Sequence, residues 1–245
     1  MQISNNLFEH IKKQSPIIDI EKRFMFFWNT KVAIHSIFLN NPDLKNRCVA
    51  RESRDLFAGW KKEKYDKIFS SYNLKDIKDA FKFTIVRNPW DRVVSAFYHL
   101  QHRGRFGKYR KPYDKNDKSG RGNFISTKET FREYIKNKNI VAENEIFALQ
   151  YPKIKFNDHI FVDFIGRLEN IEHDYKIIAS EIDCPLDLLH ACKGKNKPYK
   201  YYQDYYDEET MSIVADIYKL EIELLGYEFK ELGCRIKDEN PYQRK

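Results

Sequence analysis

Three side chains in one short segment have the chemistry of an anion site. Arg87, Arg92 and Ser95 fall within FKFTIVRNPWDRVVSAFYH, residues 81–99. Phe81–Val86 is an apolar, β-prone run. Arg87-Asn88-Pro89 cuts it, and Val93, Val94, Phe97 and Tyr98 then recur with helical spacing. The pattern predicts a buried strand feeding a helix, with Arg87 at the junction and Arg92 and Ser95 on the helix. A helix N-terminus offers unsatisfied N–H groups and the positive end of a dipole. Cationic and hydroxyl side chains add charge and donors, and the combination suits a phosphate. Pro89 also has an ordinary role, because the N–H it lacks is not needed in a first helical turn. Taken singly, Arg87 and Arg92 read as surface charges and Ser95 as a buried helix serine; the joint pattern points to a ligand.

A second strand–turn–helix precedes this one. Arg23–Trp28 (RFMFFW) is a continuous apolar run consistent with a buried parallel strand. Asn29-Thr30-Lys31 follows, then Val32–Leu39 with helical character. A lysine at a helix start sits at the wrong end of the dipole, which argues for an anionic partner. His35, on its own, reads as a satisfied, partly buried histidine. A third apolar run, His159–Ile165 (HIFVDFI), leads into Gly166-Arg167-Leu168-Glu169-Asn170. No GxxxxGK[ST] loop occurs anywhere in the chain.

These segments resemble those of sulfotransferases that use 3′-phosphoadenosine-5′-phosphosulfate (PAPS). VRNPWDRVVSAFY is similar to the element that binds the donor's 3′-phosphate, above all in the carbohydrate, family 2-like branch, where it reads approximately VRNPxxRxxSxY. Arg87, Asn88, Pro89, Arg92 and Ser95 fall on that pattern in register; Phe97 stands at its tyrosine position, with Tyr98 next to it. The resemblance implies that Arg87 and Ser95 contact the 3′-phosphate. The Lys31 loop resembles the family's 5′-phosphosulfate loop, commonly PKTGTTS or PKVxCTN, and implies donor contacts from Lys31, Val32, Ala33, His35 and Ser36. It departs from that pattern in three ways. No proline precedes Lys31, Ala33 stands where glycine is usual, and His35 replaces a threonine. Glycine permits positive φ and close backbone approach, so alanine serves only where the position is already helical. The segment VDFIGRLENIEHD is similar to VDFIGRxENLxxD, with Asp174 completing the match. There Arg167 and Glu169 either position the nucleotide or form a structural salt link. With Tyr205-Tyr206, a helix and Gly226-Tyr227, the resemblance runs from about Arg23 to Phe229.

What the resemblance implies is transfer of a sulfuryl group from PAPS to a hydroxyl of a carbohydrate or glycan acceptor. Such an in-line displacement needs an aligned acceptor, charge stabilisation on the leaving phosphate and a base. Lys31 would neutralise the leaving 5′-phosphate, with no metal. Glu52 is the first candidate for the base, because it follows Arg47–Ala50, the expected second strand. His35 and His99 are the others. Glu52 also reads as a surface carboxylate beside Arg51 or Arg54. Two other classes compete. A P-loop-like kinase acting on a small molecule would want the missing phosphate loop and a magnesium ligand. A basic nucleic-acid-binding protein would spread its charge more widely.

The elements that position these residues follow from length and pattern. A chain of 245 residues fits one α/β domain, and the resemblance makes it a single sulfotransferase domain over 1–245. The expectation is an α/β fold, a three-layer parallel sheet flanked by helices that binds ligands at the carboxyl ends of its strands; the resemblance implies the P-loop-NTPase-like sulfotransferase form of it. Lys31 and Arg87 would then form two phosphate sites on one rim. Helices are expected at Leu7–Lys13, Ser53–Ser70, through Gln101, at Lys128–Asn139 behind a Ser126–Glu129 capping box, and at Ile171–Ile182. A further, final amphipathic helix is expected to be capped by Asp207, to run through Leu225 and to end at Gly226.

The net charge of +8 is concentrated. Arg103–Arg121 carries four Arg and four Lys against two Asp, so most of the excess lies in a Gly-rich insertion at about 103–125. It reads as a mobile flap that attracts an acidic acceptor or the anionic donor, or as a solvated basic loop. Cys48, Cys184, Cys192 and Cys234 lack metal-ligand spacing and are expected as reduced thiols. The N-terminus has no signal-peptide core, and no run approaches membrane-spanning length. The expected setting is cytoplasmic, for a soluble enzyme of bacterial or viral type, or the Golgi lumen for a trimmed catalytic domain.

Overall fold

The computed structural model describes residues 5–32, 41–51, 62–102, 127–137, 139–184 and 201–229. They contain strands β1 (Ile17–Asp19), β2 (Phe24–Phe27), β3 (Cys48–Val49), β4 (Phe81–Val86), β5 (Lys155–Phe156), β6 (His159–Ile160) and β7 (Phe164–Arg167). Five form one sheet in the order β3-β1-β2-β4-β7, and β5 and β6 pair separately. The protein is α/β, with helices flanking this sheet.

β2, β4 and β7 run parallel, with Phe24 opposite Phe81 and Val86 opposite Arg167. All six residues of β4 are buried, as suits the strand between two parallel neighbours. The sheet is nevertheless mixed, because β1 is antiparallel to both β2 and β3. Its link to β2 is a tight turn in which the Lys22 N–H donates to the Asp19 carbonyl, and so short a link suits only antiparallel strands. Three residues are too few to show a period, and β1 left no sequence signal.

The strand expected at His159–Ile165 is corrected. His159–Ile160 belongs to the β5–β6 hairpin, and the sheet strand starts at Phe164. Asp163 marks the break. Its carboxylate accepts the Lys82 N–H at 2.8 Å and pairs with Lys82 Nζ at 2.9 Å.

The described residues group into two compact units. One comprises those of Met1–Val86 and Gln150–Gly194, the other those of Arg87–Leu149 and Lys195–Ile236. In the first, Phe26 stacks on Phe83 at 4.8 Å, in a core with Ile17, Val32, Ile85, Phe164 and Ile178, the last from the helix Ile171–Glu181. In the second, the helices Pro89–His102, Lys128–Asn137 and Glu208–Ile217 enclose an aromatic core. There Phe131 meets Phe97 edge-on at 5.3 Å and Tyr206 at 5.0 Å.

Helix ends differ from the sequence reading in detail. The helix expected through Asn139 ends at Asn137, and Asn139 instead caps Ile140–Glu143. Its N-terminus is closed by Thr127 and Thr130, whose hydroxyls accept each other's N–H at 3.2 and 3.1 Å; Ser126 lies outside the described residues. Asp207 caps its helix as expected. That helix is interrupted at Tyr218, whose hydroxyl donates to the Phe147 carbonyl at 2.7 Å. It resumes as Lys219–Leu225 and ends at Gly226 in the left-handed conformation, φ 63°. The Ser53–Ser70 helix is described from Lys62, and the basic insertion at 103–125 lies outside the described residues.

Candidate functional site

The junction after β4 is built by its own sequence. Asn88 Oδ1 accepts the N–H of Trp90 at 3.1 Å and of Asp91 at 3.5 Å, capping the helix that starts at Pro89. Asn88 Nδ2 donates to the Glu228 carbonyl at 3.1 Å. Trp90 Nε1 donates to the Met211 carbonyl at 3.1 Å, and the Tyr206 hydroxyl donates to the Trp90 carbonyl at 2.9 Å. The helix N-terminus is thus locked before any ligand arrives.

Arg87 stands at this junction, only 5% exposed. Its Nε and Nη2 each lie 2.8 Å from Asp91 Oδ2. Asp91, Ser95 and His99 follow Arg87 at intervals of four, and such spacing puts successive residues on one helix face. All three are half-buried.

Arg92 does not join them. Read from the sequence as a cation for the same anion, it turns into the core. Its Nη1 donates to the Ala148 carbonyl at 2.9 Å, and its guanidinium lies 5.0 Å from the Tyr218 ring centroid. Tyr98, just past the motif's last position, hydrogen-bonds the Tyr205 hydroxyl. Asn88, Pro89, Arg92 and Tyr98 therefore hold the helix, while Arg87 and Ser95 lie along the face that Asp91 marks.

In the other unit, the chain leaving β2 is clamped from both sides. Asn29, 2% exposed, donates from Nδ2 to Thr84 Oγ1 at 3.0 Å and to the Ile85 carbonyl at 3.1 Å. Thr84 Oγ1 in turn donates to the Phe27 carbonyl. Lys153 Nζ donates to the Trp28 carbonyl and lies 4.5 Å from the Trp28 ring centroid. Lys31 follows, half-buried, with φ 64°. Positive φ, which glycine permits at no steric cost, is thus adopted at Lys31 itself. Val32 is wholly buried in the core, so only its backbone is left to meet a phosphate. Ala33, His35, Ser36 and Glu52 lie outside the described residues.

Arg167 ends β7, and its N–H donates to Asp174 Oδ2 at 2.7 Å. Asp174 is fully buried and also accepts from Asn170 Nδ2 at 3.3 Å. The last residue of the GRLENIEHD motif therefore braces the turn. Glu169, on the intervening turn Leu168–Asn170, is half-buried. Because β2 and β7 both run parallel to β4, Lys31 and Arg167 follow carboxyl ends on the same sheet edge.

Burial, reinforced by the Asp19 carboxylate, pushes the Cys48 thiol well above its ordinary value, so it stays protonated and unreactive. Among the described residues no group of His, Cys, Asp and Glu is arranged to hold a metal ion. No helix among them is long and apolar enough to cross a membrane. The sequence reading missed the Asn29–Thr84 clamp, the Lys153 brace and the Asp91 contact; only the last had a signal, its spacing of four from Arg87.

The described residues thus define an α/β protein with a lysine loop after one parallel strand and an Arg-Asn-Pro junction after the next. Residues 19–228 match the family described as "Sulfotransferase family". The match covers well over half of the chain, and the chain belongs to the sulfotransferase family. A protein of Archaeoglobus fulgidus described as "Uncharacterized protein" is 32% identical over 110 residues, covering 43% of this chain and 70% of that protein. No solved structure matches the chain. Membership of this family favours sulfuryl transfer over the kinase and nucleic-acid-binding readings.

Proposed function

We propose that this chain transfers a sulfuryl group from PAPS to a hydroxyl of a carbohydrate or glycan acceptor. The observation that carries the reading is Arg87, nearly buried where β4 meets its helix and aligned with Ser95 through Asp91. Arg87 and Ser95 bind the donor's 3′-phosphate. Lys31 meets the charge of the leaving 5′-phosphate as the bond from sulfur to the donor oxygen breaks and one to the acceptor oxygen forms. Val32, Ala33, His35, Ser36 and Arg167 complete the donor contacts. The acceptor's proton passes to a base, with Glu52 the first candidate and His35 and His99 the others. The leaving charge meets fixed cations, so the proposal includes no metal. A cytoplasmic setting is part of the reading, supported by the buried free thiol of Cys48.

The test is a titration with adenosine 3′,5′-bisphosphate without metal, beside ATP with magnesium. The expected result is micromolar binding of the bisphosphate, lost in Lys31→Ala and Ser95→Ala. Tight binding of magnesium-ATP with none of the bisphosphate overturns the reading. Glu52→Gln should abolish turnover and spare bisphosphate affinity; unchanged turnover removes Glu52 from the role.

A further inference from the structure

We propose that Asp91 is a positioning residue of the donor site, holding the Arg87 guanidinium for the 3′-phosphate; the inference rests on the donor reading above. Both side chains are largely withdrawn from water, 6% exposed for Arg87 and 19% for Asp91. Arg87 Nε donates to Asp91 Oδ2 at 2.8 Å, and Nη2 lies 2.8 Å from the same oxygen. One carboxylate oxygen bridging two donors on one edge of the planar fork fixes the rotation of the whole guanidinium.

Asp91 is itself well anchored. It lies in the first helical turn, where the dipole favours a carboxylate, and its N–H points to Asn88 Oδ1 at 3.5 Å. Trp90, its neighbour, is held by hydrogen bonds to Met211 and Tyr206. Ser95, the second expected phosphate ligand, is one turn further along. Asp91 therefore stands between the two groups that read the 3′-phosphate.

A carboxylate has no hydrogen to offer a phosphate and repels it, so its contribution passes through Arg87. It supplies the counter-charge that keeps a nearly buried guanidinium in place before the donor arrives, so less ordering is left to do on binding. An exposed pair at this spacing would only add slightly to helix stability. Burial, two donors on one oxygen and the place of Arg87 in the motif distinguish this pair.

The experiment compares affinities of wild type, Asp91→Asn and Asp91→Glu for adenosine 3′,5′-bisphosphate and for adenosine 5′-monophosphate by calorimetry. The difference between the ligands isolates the 3′-phosphate. Asp91→Asn should lose on the order of tenfold in bisphosphate affinity and keep its monophosphate affinity. Asp91→Glu keeps the charge and should recover most of the loss, and in an Arg87→Ala background Asp91→Asn should add nothing. Equal loss for both ligands would show a loosened helix and overturn the inference, as would unchanged or tighter bisphosphate binding. A wild type that does not prefer the bisphosphate overturns the donor reading and this inference together. A preference undiminished in Asp91→Asn overturns this inference alone.

Discussion

Arg92 Nη2 lies 3.5 Å from Glu221 Oε2, with the two side chains only 1% and 0% exposed. The pair is a buried salt link in the unit that carries Arg87 and Ser95. Taking two charges out of water is costly, and the attraction between them offsets that cost only in part. Removing one partner leaves the other charged and sealed in. Glu221→Ala should therefore destabilise the protein by about 3–5 kcal/mol. The double change Arg92→Met with Glu221→Met should regain much of this. Urea unfolding measures both. A loss below about 1 kcal/mol for Glu221→Ala would place the pair with exposed salt bridges.

Asp207 gives the helix Glu208–Ile217 a pH-dependent cap. The Thr210 hydroxyl, then the Thr210 N–H, hold its carboxyl down at about 2, with Lys136 adding to the effect. A depressed carboxyl adds stability above its ordinary value, and that stability is lost as the pH falls through the folded value. Asparagine caps a helix equally well without titrating. Urea midpoints between about pH 5 and pH 2 should thus fall less steeply in Asp207→Asn than in wild type. Parallel slopes would exclude the cap as a source of acid sensitivity.

Asp174 holds the turn after β7 through the Arg167 N–H. Asp174→Ala removes the acceptor from a partly buried donor, at a cost of about 1–3 kcal/mol. Amide exchange at Arg167 should speed up more than at Phe83 in the neighbouring strand β4. Uniform acceleration at both would mean that the loss is global rather than a local release of the turn.

The runs of β2 and β4 were legible because continuous apolar segments in a βαβ pattern have few other uses. β1 was not, being three residues long, and β7 was displaced because HIFVDFI is apolar on both sides of Asp163. Arg87 was legible through a motif whose spacing is local. The inward turn of Arg92 was not, because Ala148, Tyr218 and Glu221 reach it only in the folded chain. Asn29 read as a turn residue, and its partner Thr84 comes beside it only when β2 pairs with β4. The sequence thus carried the motif residues better than the residues that hold them.

Lys31 pairs the side chain proposed to meet the leaving phosphate with an unfavourable backbone. Its φ of 64° is one that non-glycine residues adopt at a cost of about 1 kcal/mol. Asn29 and Lys153 anchor the chain just before it, which is how such a conformation persists. Glycine would relieve the backbone and remove the ammonium, whereas alanine removes the ammonium and keeps the strain. Lys31→Gly should therefore be more stable to urea than Lys31→Ala by about 1 kcal/mol, with sulfuryl transfer lost in both. Equal stability of the two variants would show that the loop relaxes once the lysine is gone. Higher stability with no activity in Lys31→Gly would show that the cationic side chain is kept at the expense of the fold.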